Sequence, residues 1–425
     1  MEMVRKMDLE FFDTATQHIL TVIPERALQL SRFRAILQAG TLPTVTVIGK
    51  YNHGKSRLLN ELIGEDIFSV ADKRETTTLS EHLQQQVRWL DAPGLDADVA
   101  AIDDQHAQDA IWTKADIRLF VHSVREGEFD PNEVALFQQL EQDTAKTQRQ
   151  TLLVLTQIDQ IADKEVLNHI LDSIQQQVPT VNLLAVSATR HRQGVENNKQ
   201  LLIQRSGIPE LKHILHSTLE HVPTVRLHEK NQILNEIKTQ LIQLQHSTQY
   251  TIQQLSAQQQ QQRQAFEQGL EAVLSKVRED LQPILVVSDK DDSLEPDSFA
   301  NMYKVTAGKR DRNRIQVAYS RACIDINSHL IRHGVLELPE TQKSHVRSLD
   351  TIIVAVLGVS VKLRKDLQRI FFEEAGLNHL RYEFARYFEL SADRVTLQQQ
   401  RQNTQQQLDH IETALQAVSM LESAQ

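Results

Sequence analysis

The sequence predicts an α/β domain, with a mainly parallel sheet and helices on both faces, joined to an elongated α-helical bundle or stalk. Two observations predict it. Between residues 44 and 222, short apolar runs rich in β-branched residues (44–48, 87–90, 118–122, 152–155 and 181–187) alternate with helix-patterned stretches. Strands that alternate with helices make βαβ units with right-handed crossovers. After Pro223 the strand pattern ends, and apolar residues recur at helical spacing instead.

Taken in order, residues 1–40 read as helix, because Phe11, Phe12, Ile19, Ile23, Leu28, Phe33 and Ile36 recur near helical spacing. Pro24 marks a break between two segments, and Gly40 to Pro43 punctuates the end. These helices are expected to pack on a helical neck. Residues 41–222 form the α/β domain. Residues 223–425 form the stalk: Leu234, Ile237, Leu241 and Leu244 keep an a/d-like register that Phe266, Leu270, Val273 and Val277 resume. One helix is expected over 227–284, solvated along Gln258 to Gln262, and a last helix from Arg394 to Ala424 carries Leu408, Ile411, Leu415 and Val418.

Composition bounds the function. A chain of 425 residues, 40% hydrophobic and 24% charged, is globular and large enough for two or three units. The net charge of −10 argues against wholesale nucleic-acid binding. A single cysteine, Cys323, rules out intrachain disulfides and cysteine-rich metal sites. Residues 1–20 lack the apolar core of a signal peptide. The longest apolar run, 352–361, is about half what a spanning helix requires. The expectation is a cytoplasmic protein that at most touches a membrane peripherally.

The motifs lie on the βα turns. Gly49, Gly54, Lys55 and Ser56 make a G-x-x-x-x-G-K-S loop after the 44–48 strand and before a helix. Phosphates need concentrated positive potential without bulk, which backbone N–H groups at a helix N-terminus supply. Lys55 is placed to bridge the β- and γ-phosphates and Ser56 to ligate Mg²⁺. Asp91 to Gly94 forms D-x-x-G at a strand end, with Asp91 for the metal and Gly94 for the γ-phosphate. Between the two lies the run Thr76, Thr77, Thr78, where a switch threonine closes on metal and phosphate; Thr77 is the choice. Thr156, Gln157 and Asp159 follow the 152–155 strand as T-x-x-D, and the Asp159 carboxylate can accept from guanine N1–H and its 2-amino group. Ser187 and Ala188 fit a second base-binding loop. The set predicts a P-loop NTPase domain that binds GTP and GDP. Leu95 stands where a glutamine would orient the attacking water, so water positioning must come from elsewhere.

Residues 48–64, with Gly49, Asn52, Gly54, Lys55, Ser56, Leu58, Leu59, Asn60, Leu62 and Gly64, resemble the phosphate loop of bacterial dynamin-like and Era-like GTPases. The resemblance covers about 44–222, and the flanking helices match in architecture only. It implies Mg²⁺-dependent GTP hydrolysis, with His53 and Arg57 completing the nucleotide loop. Asn52 is either a ligand for K⁺ against the phosphates or a residue that stabilises the turn. Hydrolysis is then slow in the monomer and faster when two such domains pair as a homodimer. The departures are Gln157 in place of lysine and Arg57 in place of serine or threonine.

Residues 301–370 hold thirteen Lys and Arg against six Asp and Glu. Cations flank the 352–361 run, which reads as a membrane-touching tip for anionic headgroups, as a buried helix end or as a buried strand. A partner protein gated by nucleotide is a second use of this region. Era-like RNA or ribosome contact is a third, weakened by the lack of interleaved aromatics and of a GxxG loop.

Overall fold

The computed structural model describes residues 2–68, 80–92, 108–287, 290–296, 298–299, 303–338 and 351–423. The chain divides into two compact units, residues 1–243 with 410–425, and residues 244–409.

The first unit opens with α1 (Glu2–Val22) and α2 (Ala27–Ala39), separated by a short 3-10 turn at Pro24–Arg26. Proline cannot donate to a continuing helix, so the break falls there. Then follow β1 (Thr44–Ile48), α3 (Lys55–Ile63), β2 (Ser80–Gln84), β3 (Val87–Asp91), a π-helical turn (Asp109–Lys114), β4 (Ile117–Ser123), α4 (Pro131–Thr147), β5 (Gln150–Thr156), α5 (Lys164–Gln177), β6 (Leu183–Ala185), α6 (Ala188–Glu196) and α7 (Gln200–Gln204). The long α8 (Ile208–Leu285) belongs to the first unit up to Gln243.

The six strands run β2-β3-β1-β4-β5-β6. All neighbours are parallel except β2 and β3. β1 and β4 are buried at every position, as strands covered on both faces must be. Alternation along β4 sends Ile117, Leu119 and Val121 to one face, with α3 and the start of α8, and Phe120 to the other, with Phe137 of α4 and Ile174 of α5. The chain order reverses around β1, the position at which open α/β sheets bind ligands beyond the strand ends. Local signals fix the helices: Asp130 and Glu133 form a reciprocal capping box at α4, and Asp163 and Ser187 cap α5 and α6.

Five of these strands coincide with the apolar runs of the sequence; β2 was not expected. Its residues, Ser80 to Gln84, are exposed or half-buried, and among the described residues it pairs only with β3 at the sheet edge. The long helix begins at Ile208 rather than 227 and continues through Pro223, losing the one bond a proline cannot make. A buried ion cluster ties α2, β4 and α8 together. Asp116 accepts from Arg32 at 2.9 Å, from Arg226 at 2.9 Å and from the Thr44 N–H at 2.7 Å. Arg32 also holds Glu229 of α8 at 2.8 Å.

The second unit contains the rest of α8, α9 (Ala307–Arg332), α10 (Thr351–Leu357), α11 (Arg364–Phe371), α12 (Glu374–Glu389) and α13 (Ala392–Ser423) up to Asp409. Phe266 stacks on Phe388 with centroids 4.3 Å apart, and Ile315, Tyr319, Ile326, Leu367, Phe371 and Phe384 complete a fully helical core. Ile352, Ile353, Leu357 and Val361 belong to that core. The 352–361 run spans α10 and the turn after it, with those four side chains buried and Val359 80% exposed, and Tyr319 donates to the Leu357 and Gly358 carbonyls. Arg364, one of the flanking cations, is also turned inward, onto Asp291 and Asp311.

Candidate nucleotide-binding site

The phosphate loop sits between β1 and α3, as its sequence requires. A Cβ at Gly49 would lie 2.1 Å from the Val121 carbonyl oxygen, so the loop can leave β1 here only through glycine. Asn52 and Gly54 are left-handed, with φ of 59° and 79°. Asparagine tolerates that conformation better than most residues, which gives Asn52 a backbone reason for its place. Its side chain is exposed.

Lys55 and Ser56 open α3. The Lys55 ammonium donates to the Lys50 carbonyl at 2.7 Å, within the loop it serves. The Ser56 hydroxyl donates to Asp91 Oδ2 at 2.6 Å, which joins the phosphate loop to the end of β3. Asp91 Oδ1 is buried without a hydrogen-bond partner. Burial pushes the Asp91 carboxyl above its ordinary range, against the Ser56 hydrogen bond and the Lys55 charge. A hydroxyl and a carboxylate with one unsatisfied buried oxygen are hard-oxygen ligands of the kind Mg²⁺ takes, so Ser56 and Asp91 fit that ion. Thr77 and Gly94, the switch and γ-phosphate choices, lie outside the described residues, as do Thr76, Thr78 and Leu95.

The residues expected to recognise the base gather at the ends of β5 and β6. Ser187 donates to Asp159 Oδ1 at 2.5 Å, so the two expected base-binding loops meet. Ser187 also caps α6, whose first residue is Ala188. Gln157, the departure from lysine, is a clamp. Its amide nitrogen donates to the Asn52 carbonyl at 2.9 Å, and its amide oxygen accepts from the Ser123 hydroxyl at 2.7 Å. Thr156 donates to the His53 carbonyl at 2.6 Å. The β5 end thus pins the phosphate loop at two successive carbonyls. Sequence reasoning missed Ser123; its signal was a serine ending β4 beside the T-x-x-D turn.

One loop residue, His53, differs from expectation. The His53 side chain is fully buried and faces His122 and Val121, away from the nucleotide side, so what it can offer a phosphate is its backbone N–H. Lys50 is held by Asp130 at 2.5 Å and Glu133 at 3.2 Å. Arg57 is exposed and reaches Thr189 Oγ1 at 3.4 Å, beside the Ser187–Ala188 loop.

A phosphate loop, a D-x-x-G aspartate joined to its serine, and a base-side aspartate, all at the carboxyl ends of parallel strands, define a P-loop GTPase domain. Residues 44–157 match the family model described as 50S ribosome-binding GTPase. The chain belongs to the same family as an uncharacterized protein of Acinetobacter baylyi, to which it is 55% identical over 418 residues, 98% of this chain and the whole of that one. It is also 38% identical over 99 residues to GTPase Der of Streptococcus mutans, a match that spans 22% of this chain and 23% of Der. Among solved structures it is similar to Aquifex aeolicus Era bound to GDP and aluminium fluoride (22% identity, 38% of this chain and 56% of that one, TM-score 0.31). It is also similar to a chain of an oligomerised bacterial dynamin pair (14% identity, 98% and 78%, TM-score 0.36).

Proposed function

We propose that the protein binds GTP and GDP with Mg²⁺, hydrolyses GTP, and couples its nucleotide state to association through the helical residues 244–409. The observation that carries this reading is the joining of Ser56 to Asp91 and of Asp159 to Ser187 around one loop. Lys55 neutralises the β- and γ-phosphates, and loop N–H groups from Gly49 to Ser56 donate to their oxygens. Ser56 and Asp91, with Thr77 once GTP is present, hold the metal, which supplies charge to the phosphates when bound. The Gly94 amide reports the γ-phosphate. Asp159 selects guanine, with Ser187 and Ala188 lining the base and Arg57 at the edge of the pocket.

No glutamine follows Gly94, so hydrolysis is slow in the monomer and rises when two GTPase domains pair, with K⁺ held at Asn52 as the added charge. The test is turnover per site against protein concentration, in potassium and in sodium buffer. A rate insensitive to both removes pairing and K⁺ together. Loss of turnover in Lys55→Ala, with the fold retained, is expected in every buffer.

A membrane surface as the target is favoured by one feature of the second unit. Phe299, Tyr303, Val305 and Val359 are 90%, 93%, 73% and 80% exposed, and Lys304, Arg310, Lys362 and Lys365 are exposed in the same two segments. Aromatic and aliphatic side chains next to cations suit an anionic bilayer face. Flotation with phosphatidylserine vesicles should carry the protein up, and Phe299→Ser with Tyr303→Ser should release it. Failure of the parent protein to float, beside nucleotide-dependent capture of a protein or RNA, assigns the helices to that partner instead. No helix among the described residues is long and apolar enough to cross a membrane.

A further inference from the structure

Beneath the phosphate loop, three side chains that no nucleotide role uses converge. His53 comes from the loop, His122 from β4 and Glu133 from the first turn of α4; both rings are fully buried and the glutamate is 6% exposed. One ligand atom from each lies within 4.8 Å of the other two. Glu133 Oε1 is 2.9 Å from His122 Nδ1 and 3.8 Å from His53 Nδ1. Four-coordinate zinc, with bonds of about 2.0–2.1 Å to nitrogen and oxygen, sets neighbouring ligand atoms about 3.4 Å apart, between these two separations.

The outer shell has matching chemistry. A ring that binds metal through one nitrogen donates its other N–H to a carbonyl or carboxylate. The far nitrogen of His122, Nε2, lies 3.0 Å from the Gly127 carbonyl. The far nitrogen of His53 is buried with no hydrogen-bond partner and points at Glu126, 3.5 Å away. The second Glu133 oxygen is occupied by Lys50 at 3.2 Å and the Asp130 N–H at 3.2 Å, which leaves Oε1 for the rings. Both nitrogens of His122 face oxygen acceptors, at Glu133 and Gly127, while His53 Nδ1 lies 3.2 Å from the Val121 carbonyl. One neutral imidazole has a single N–H and cannot serve two acceptors.

We propose that His53, His122 and Glu133 bind one divalent transition-metal ion of the zinc class beneath the phosphate loop. Two imidazoles and a carboxylate suit zinc and its first-row neighbours, not Mg²⁺. Because His53 lies between Asn52 and Gly54, the ion ties the loop to β4 and α4. Zinc and nucleotide then affect each other's affinity by the same factor.

The test is uptake of Zn²⁺ by the full-length protein after chelator treatment, in millimolar Mg²⁺ to occupy the Ser56–Asp91 oxygens. One equivalent per chain is expected. His122→Gln and Glu133→Gln should weaken it at least about 100-fold and Glu126→Gln about 10-fold. His191→Gln, which breaks another buried His–Glu pair (2.6 Å to Glu61), and Asp91→Asn should leave it unchanged. No stoichiometric uptake by the parent protein overturns the site, as does uptake kept by both ligand variants or lost in Asp91→Asn. If the ligand variants do not fold, Co²⁺ in the parent protein decides. Intense visible bands of a four- or five-coordinate site without thiolate charge transfer support it, and a pale octahedral spectrum overturns it.

Discussion

Replacing Gln157 with alanine removes both bonds of the clamp, the 2.9 Å bond to the Asn52 carbonyl and the 2.7 Å bond from Ser123. Alanine keeps a Cβ at the same left-handed backbone (φ 60°), so no conformational gain offsets the loss. At about 1 kcal/mol net per hydrogen bond, the clamp contributes about 2 kcal/mol. If all of it holds the loop in its nucleotide-binding shape, GDP affinity falls roughly 30-fold, and that figure is a ceiling. Lysine at 157 can restore the bond to Asn52 but offers Ser123 no acceptor, so Gln157→Lys should lie between parent and alanine. The assay is titration with a fluorescent GDP in Mg²⁺, beside a melting curve for each variant. A Gln157→Ala affinity within twofold of the parent, with unchanged melting, refutes the clamp.

Three further outcomes follow from the same geometry. Asp159→Asn exchanges a carboxylate that pairs with Ser187 for an amide that repels one guanine donor; the preference for GTP over ATP should drop roughly 100-fold or more by competition binding, with phosphate-side contacts intact. Phe266→Ala opens a cavity against Phe388 in the second unit; it should cost about 3–5 kcal/mol in denaturant unfolding while leaving GDP affinity unchanged. Burial works against the Asp116 carboxylate, but Arg226, Arg32 and the Thr44 N–H outweigh it and hold its pKa below the ordinary value. A depressed folded pKa gives stability that is complete above the unfolded value, near 4, and is lost as pH falls through the folded one. Asp116→Asn should therefore cost about 3–5 kcal/mol at neutral pH and flatten the acid limb of the stability profile, read by melting between neutral and acid pH.

The nucleotide half was legible because each motif is local. The glycines, Lys55 and Ser56 stand in one loop, and Asp91 and Asp159 each follow a short apolar run that reads as a buried strand. The edge strand Ser80 to Gln84 left no such trace, since a strand with polar, largely exposed side chains has no apolar pattern to read. Gln157 appeared as a defect in a motif because its two partners are 34 and 105 residues away. The same distance in sequence hid Asp116, Arg32, Arg226 and Glu229, charges that single positions assign to the surface and the fold buries together. His53 was hidden by its neighbours, since a histidine in an otherwise phosphate-facing loop gives no sign that its ring turns inward. The 352–361 run showed the opposite limit: apolar residues beside cations suit a membrane face and a bundle core equally, and the fold buries Ile352, Ile353, Leu357 and Val361 while leaving Val359 exposed.

The central claim is that one loop, joined to Asp91 and clamped beside Asp159, is a guanine-nucleotide site. Its most direct measurement is calorimetric titration of the nucleotide-free protein with GDP, GTP and ATP, with and without Mg²⁺, beside Lys55→Ala. GDP and GTP should bind one per chain, GTP more tightly with Mg²⁺ than without, ATP at least about 100-fold more weakly, and the variant should lose GTP. Equal binding of ATP and GTP, or no binding of either, would contradict it.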